Sequence, residues 1–261
     1  MKAIILAAGQ GTRLKKYTQD LPKGMLKFMG RTIIERQIDL YRKCGIEDIT
    51  VVRGFAGEKI AYEGVKYYTN EDYVNTNMVE SMLIAKAEFT EDVILSYSDV
   101  LFSEEMLRTM MEAEGDFLVA VDKDWREYWQ ARYGKVDFDT ESLSIGENGC
   151  ITSLGLESPP LEEIDARYVG LLKFSKRGLG VIESVMEKAH ALGEEVPWQQ
   201  SGKPVQKAYM TDLLQALIEE KELVRAVVFH HGWIEFDTNE DYETACQWAQ
   251  EGSLDRFVIL L

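Results

Sequence analysis

The chain has 261 residues and a mass of 29.8 kDa, enough for a substantial buried core. Its 45 acidic against 29 basic side chains give a net charge of −16, which argues against nucleic acid as a partner. No apolar run approaches the roughly 20 residues needed to cross a bilayer, so membrane insertion is excluded as well. The three cysteines, Cys44, Cys150 and Cys246, are widely spaced and form no metal or disulfide pattern, which suits a reducing cytoplasm.

In chain order, "KAIILAA" reads as a buried strand that runs into the turn "GQGTR". This apolar opening is short for an export signal. "TIIERQIDLYRKCG" reads as a helix with a Thr32/Glu35 capping box and Gly45 as its stop. "DITVVRG" and "VKYYTN" follow as strands, "NMVESMLIAKAEF" as a helix and "DVILSYSDV" as a strand. "SEEMLRTMMEAEG" is then a helix and "DFLVAVD" a strand. Strands alternating with helices of this length imply a three-layer α/β/α sandwich on a mostly parallel sheet. After residue 122, "YGKVDFDTESLSIGENGCITSLG" reads as a small β insertion about an Asn148–Gly149 turn. "ARYVGLLKFS" is a strand, "KRGLGVIESVMEKAHALG" a helix, and "EEVPWQQSGKP" a mobile polar connection. The helix "MTDLLQALIEEKEL", the strands "VRAVVFHHG" and "WIEFD", and the helix "TNEDYETACQWAQEG" complete the pattern. The apolar tail "FVILL" is expected to dock on the core, with a homodimer contact as the alternative.

The glycine turn is the first candidate site. Gly9 and Gly11 let backbone N–H groups approach an anion closely. A dinucleotide fold wants a third glycine where Leu14 stands and an acid where Arg53 stands, and a Walker-type lysine motif is missing. Arg13, Lys15, Lys16, Lys23, Lys27 and Arg31 instead form a basic island with one acid, Asp20, on an otherwise acidic chain. Such an island reads either as solvated loop charge or as an anion site.

"LAAGQGTRL" followed by "LPKGMLKFMGRTIIERQI" resembles the signature of the nucleotidyltransferases that build NDP-sugars and CDP-alcohols. "NEDYVNTNMVESM", "SYSDV", "DKDWREYWQARY", "RYVGLLKFS", "AYMTDLLQALI" and "GWIEFDTNEDYETA" are similar to the bacterial phosphocholine and phosphonate cytidylyltransferase subgroup, with Met78 where an asparagine often stands. The resemblance implies a Rossmann-like fold and one nucleotidyltransferase domain over 1–261. Its nucleotide-binding half spans 1–122, its acceptor half 123–250 and a tail 251–261. It implies CMP transfer from CTP to a small phosphorylated alcohol or phosphonate. The alternatives are a sugar-1-phosphate nucleotidylyltransferase using UTP, dTTP or GTP, and an inactive nucleotide-sensing module.

In that reading Leu6, Ala7, Ala8, Gly9, Gly11 and Thr12 line the nucleotide, with Asn77, Ser81 and Ser98 beside it. Arg13 and Lys23 are the catalytic cations, and Asp99 and Asp237, each closing an apolar strand, hold Mg²⁺. Lys23, Asp122, Trp129, Tyr168 and Glu235 are expected on the acceptor. Trp125, Tyr128, Trp129 and Tyr133 read either as core or as an aromatic cage for a quaternary ammonium, and Asp122, Asp124 and Glu235 as partners for a primary amine. Thr211 and Asp212 open a helix, and His190, His230 and His231 are taken as structural.

Overall fold

A computed structural model describes residues 1–193 and 195–260. Seven strands form the main sheet: β1 (Lys2–Ala7), β2 (Ile49–Arg53), β3 (Val65–Thr69), β4 (Val93–Tyr97), β5 (Phe117–Asp122), β6 (Arg167–Phe174) and β7 (Val224–Phe229). Their order across the sheet is β7-β5-β6-β4-β1-β2-β3. β1 pairs in parallel with β2 and β4, and β5 with β7, while β6 runs antiparallel between β4 and β5. The sheet is therefore mixed but mostly parallel, and helices cover both faces.

β1 is buried at every position, as expected of a central strand covered on both sides. One apolar cluster includes Ile5, Ile34, Tyr41, Phe102 and Trp233; the other, across the sheet, includes Ile4, Val119, Leu172 and Leu213. Helix α1 (Ile33–Lys43) carries the expected capping box, with Glu35 N–H donating to Thr32 Oγ1 at 3.1 Å.

The stretch read as one strand, "DVILSYSDV", is broken. β4 ends at Tyr97, and Val100–Phe102 leaves the sheet to pair antiparallel with Trp233–Glu235. Glu235 faces Val100 in this register, and Phe236 N–H donates to Asp99 O at 3.0 Å. That pairing brings Asp99 and Asp237 together from strand ends more than a hundred residues apart.

The β insertion forms as expected, Glu141–Ile145 against Ile151–Glu157. In the polar connection, Pro197–Trp198 pairs with Lys203–Pro204 and Trp198 is buried; Glu194 lies outside the described residues. The tail docks through Leu254, Phe257 and Val258, all buried, with Phe257 stacked on Trp248 at 4.8 Å between ring centroids. Leu261 lies outside the described residues. Among the described residues no helix is long and apolar enough to cross a membrane.

Candidate active site

The glycine turn leaves the C-terminal end of β1, the edge at which open α/β sheets bind ligands. Gly11 holds φ +67°, and a Cβ there would press on Lys23 Cβ at 3.0 Å. At Gly9 a Cβ would meet nothing within 4 Å, because the residue faces a cavity. The N–H groups of Gly9, Gln10 and Gly11 donate to no acceptor among the described residues. Unpaired backbone donors on a glycine turn, open at Gly9 and flanked by Lys23 at Gly11, are suited to receive an anion. Gly54, at the end of β2, lies so close behind it that a Cβ would sit 2.6 Å from Ala8 O.

Lys23 stands at the centre of the site. Its side chain is only 13% exposed, and its ammonium donates to both Asp99 Oδ2 and Asp237 Oδ1. Burial alone would lower the Lys23 pKa, but the two carboxylates outweigh it and hold the group above its ordinary value. The Asp237 carboxyl, which burial would raise, is held well below its usual range by Lys23, Arg132 and Arg13. Arg13 reaches Asp139 Oδ2 at 3.1 Å and Asp237 Oδ1 at 3.4 Å. The rest of the basic island disperses. Lys16 pairs with Glu243 at 2.5 Å, Arg31 with Glu35 and Asp39, and Lys15 and Lys27 are exposed.

Two cavities meet here and share Met78, Tyr97 and Asp99. The smaller, about 170 Å³, is lined by Leu6, Ala8, Gly9, Lys23, Asn77, Ser81 and Ser98, with Tyr73 and Thr76 at its side. Asn77 caps helix α2 (Met78–Ile84), and Ser81 Oγ accepts from Asn70 Nδ2 at 3.0 Å. The larger, about 340 Å³, is lined by Arg13, Tyr168, Thr211, Glu235 and Asp237 together with Glu141, Glu157 and Arg167. Tyr168 donates to Tyr97 OH at 2.9 Å, and Tyr97 donates to Met78 Sδ at 2.7 Å, so the residue that departs from the subgroup pattern sits at the junction. Ala7 is buried in β1 beneath the turn, and Thr12 lies exposed on its far side.

Two acceptor-side expectations are not met. Asp122 is fully buried and accepts from the N–H groups of Asp124 and His231 and from Trp233 Nε1, which saturates it away from the cavity. Trp129 is also fully buried, packs edge-on against Trp125 and Tyr128, and donates to Phe138 O at 2.8 Å. These rings are core, and no cage is built from them. Asp124 pairs with His230 on the surface instead. Asp212 receives the N–H groups of Tyr209 and Ser201, so it caps its helix (α6, Met210–Glu219) and pins the polar connection. The helices between α2 and α6 are α3 (Glu104–Glu112), α4 (Trp125–Tyr133) and α5 (Lys176–His190).

Arg132 was not foreseen. It is 1% exposed and forks onto Asp241, Nε to Oδ1 and Nη2 to Oδ2, both at 2.7 Å. It also donates to Glu235 and lies 3.7 Å from Asp237 Oδ2. Burial pushes the Glu235 carboxyl up, with Arg132 opposing. Arg132 thus sets the position of the strand end that presents Asp237. The signal was on the helix itself: Trp125, Tyr128, Trp129 and Arg132 fall at i, i+3, i+4 and i+7, which places a cation on the buried face.

Two cavities that meet at Asp99, whose carboxylate holds the Lys23 ammonium, suit a reaction between two phosphorylated partners, and on a sheet of this order that is the arrangement of a nucleotidyltransferase. The chain belongs to the MobA-like NTP transferase domain family, which it matches over residues 3–231. A CTP:phosphoglutamine cytidylyltransferase of Campylobacter jejuni is 33% identical over 254 residues, covering 93% of this chain and 98% of its own. A choline-phosphate cytidylyltransferase of Streptococcus pneumoniae is 26% identical over 249 residues, covering 93% and 95%. The solved CTP:phosphocholine cytidylyltransferase of Streptococcus pneumoniae superposes with a TM-score of 0.74 at 21% identity, over 95% of this chain and 98% of that one, a likeness of fold.

Proposed function

We propose that the protein transfers CMP from CTP to a small phosphorylated acceptor that carries an ammonium group, of the phosphocholine or 2-aminoethylphosphonate type, and releases pyrophosphate. The observation that carries this reading is that Lys23, which lines the smaller cavity beside the glycine turn, donates to Asp99 and Asp237, which line the larger acid-lined one. Tyr73, Thr76, Asn77 and Ser81 offer polar groups suited to a pyrimidine edge. Glu141, Glu157 and Glu235 suit a cation on the acceptor. Both relatives described above carry cytidylyltransferase names and align over more than nine-tenths of this chain.

The chemistry needs positioning and charge neutralisation more than proton transfer. An ionised oxygen of the acceptor phosphate attacks the α-phosphorus and forms the new P–O bond. The bond from the α-phosphorus to the α–β bridging oxygen breaks, and its electron pair leaves with pyrophosphate. In this scheme the Gly9–Gly11 N–H groups hold the triphosphate and Arg13 its outer phosphates. Lys23 lies between the α-phosphate and the acceptor, with part of its charge released from Asp99 and Asp237 on binding.

Asp99 and Asp237 also fit a divalent cation. Both already face one positive charge, and Asp99 Oδ1 is buried without a hydrogen-bond partner. Among the described residues no group of three or more His, Cys, Asp or Glu is placed to hold a metal, so phosphate oxygens and water must complete the shell, as Mg²⁺ prefers. A bound Mg²⁺ supplies neutralisation of phosphate charge.

Isothermal calorimetry tests the donor. CTP is expected to bind about five- to a hundredfold more tightly than UTP, since exchanging the cytosine amine for a carbonyl leaves a buried partner unpaired at about 1–3 kcal/mol. Equal affinity would favour the sugar-1-phosphate reading.

A further inference from the structure

The larger cavity contains one charge that the transfer chemistry leaves unused. Arg167, the first residue of β6, lines it, and its side chain makes no hydrogen bond or ion pair among the described residues. Its Nε and Nη1 are buried with no partner, while the guanidinium carbon lies 4.7 Å from the centroid of the Trp129 ring. Every other cation described at this site is matched: Lys23 by two aspartates, Arg13 by Asp139 and Asp237, Arg132 by Glu235 and Asp241. A desolvated guanidinium without an acceptor is costly to maintain, and such groups are rare unless a ligand completes them. The charges around it supply no such acceptor. Glu141 and Glu235 feel its field, yet Glu141 Oε1 accepts from Thr211 Oγ1 and Glu235 pairs with Arg132.

We propose that Arg167 receives a carboxylate of the acceptor, so that the acceptor is a phosphorylated amino acid or a close relative, with phosphate at the Lys23 end and carboxylate against Arg167. The planar fork stacked on Trp129 presents paired N–H donors, the geometry a carboxylate takes bidentately and a quaternary ammonium does not. The acids Glu141, Glu157 and Glu235 on the same cavity leave a place for the amino group. The inference rests on the transferase reading above and its ammonium-bearing acceptor, and replaces the phosphocholine or 2-aminoethylphosphonate type with one that carries a carboxylate as well. It also gives Trp129 a part: the ring stays in the core but carries the residue that touches the acceptor.

The test is equilibrium binding, independent of turnover. O-Phospho-L-serine and O-phospho-L-homoserine are each titrated against their decarboxylated counterparts, phosphoethanolamine and 3-aminopropyl phosphate, with and without a non-hydrolysable CTP analogue. The wild type is expected to bind the carboxylate-bearing member of at least one pair about tenfold or more tightly. Arg167→Met is expected to bring the members of that pair within about threefold of each other, and Arg167→Lys, which keeps the charge and loses the fork, to fall between. No carboxylate preference in the wild type, or a preference that survives in both variants, overturns the proposal. An equal loss for both members assigns Arg167 to the phosphate and overturns it too. Failure of the CTP analogue to bind is a different result: it removes the nucleotide reading, while the acceptor titrations alone still decide the role of Arg167.

Discussion

Replacing Arg132 with methionine removes the cation that three carboxylates share. The arginine is 1% exposed, holds Asp241 through two 2.7 Å bonds, and faces Glu235 and Asp237. Methionine fills much of the volume, so the cost is electrostatic. Asp237 keeps Lys23, and Asp241 keeps the N–H groups of Asp237 and Thr238 at 2.9 and 2.7 Å. Glu235 retains no cation within ion-pair distance among the described residues. Breaking a buried pair from one side costs about 3–5 kcal/mol, and urea unfolding at neutral pH should show a loss of that order. The sign with pH follows from Glu235, which burial already pushes up against the opposition of Arg132. Without Arg132, Glu235 binds its proton more readily folded than unfolded, so the variant gains relative to wild type as pH falls from 8 toward 5. A loss below about 1 kcal/mol, or a deficit that widens on acidification, would refute this view of Arg132.

Glu88 offers an independent pH test far from the cleft. Burial would raise its carboxyl, but hydrogen bonds from Lys2, Lys66 and Tyr68 outweigh it and hold the group at about 2. Its folded value is depressed, so its contribution is complete above the ordinary carboxylate range and fades as pH falls toward 2. Glu88→Gln should therefore lose stability at pH 7 and flatten the acid limb of the unfolding curve; parallel curves would contradict the assignment. Gly24→Ala should cost about 1–3 kcal/mol in urea and weaken CTP binding, because its Cβ would lie 2.6 Å from Ile34 Cδ1 and 2.8 Å from Ser98 Cβ, next to Lys23. Asp99→Asn and Asp237→Asn should each cut turnover in Mg²⁺ strongly, and together cost much less than the product of the single losses. Independent multiplicative losses, or full activity in EDTA, would show that they share no ion.

The reacting end of the site was legible because each of its residues follows a pattern break. Gly9 and Gly11 follow the end of an apolar strand, Lys23 follows Pro22 in the basic island, and Asp99 and Asp237 close other apolar runs. The break between Tyr97 and Val100 was hidden, since an apolar run carries no mark of where it leaves a sheet. The reversal of β6 was equally silent, because direction is set by tertiary pairing and not by composition. Asp122 and Trp129 were misplaced for a related reason. In a strand covered on both faces, or a helix rich in aromatics, polarity alone does not say which side opens on a cavity. Asp122 spends its acceptors on Trp233 and two backbone N–H groups supplied by distant loops. Arg167 and Glu141 come from separate segments and meet only through the β insertion, so no spacing rule joins them.

The most direct measurement is pyrophosphate release, crossing CTP, UTP, GTP and dTTP with phosphocholine, 2-aminoethylphosphonate, phosphoethanolamine, O-phospho-L-serine, inositol phosphate and glucose-1-phosphate, for wild type and Lys23→Ala. The Lys23 junction predicts release with CTP and an amine-bearing acceptor, and at least about a hundredfold less with Lys23→Ala at unchanged circular dichroism. Turnover confined to glucose-1-phosphate, or a Lys23→Ala protein that turns over at the wild-type rate, would contradict it.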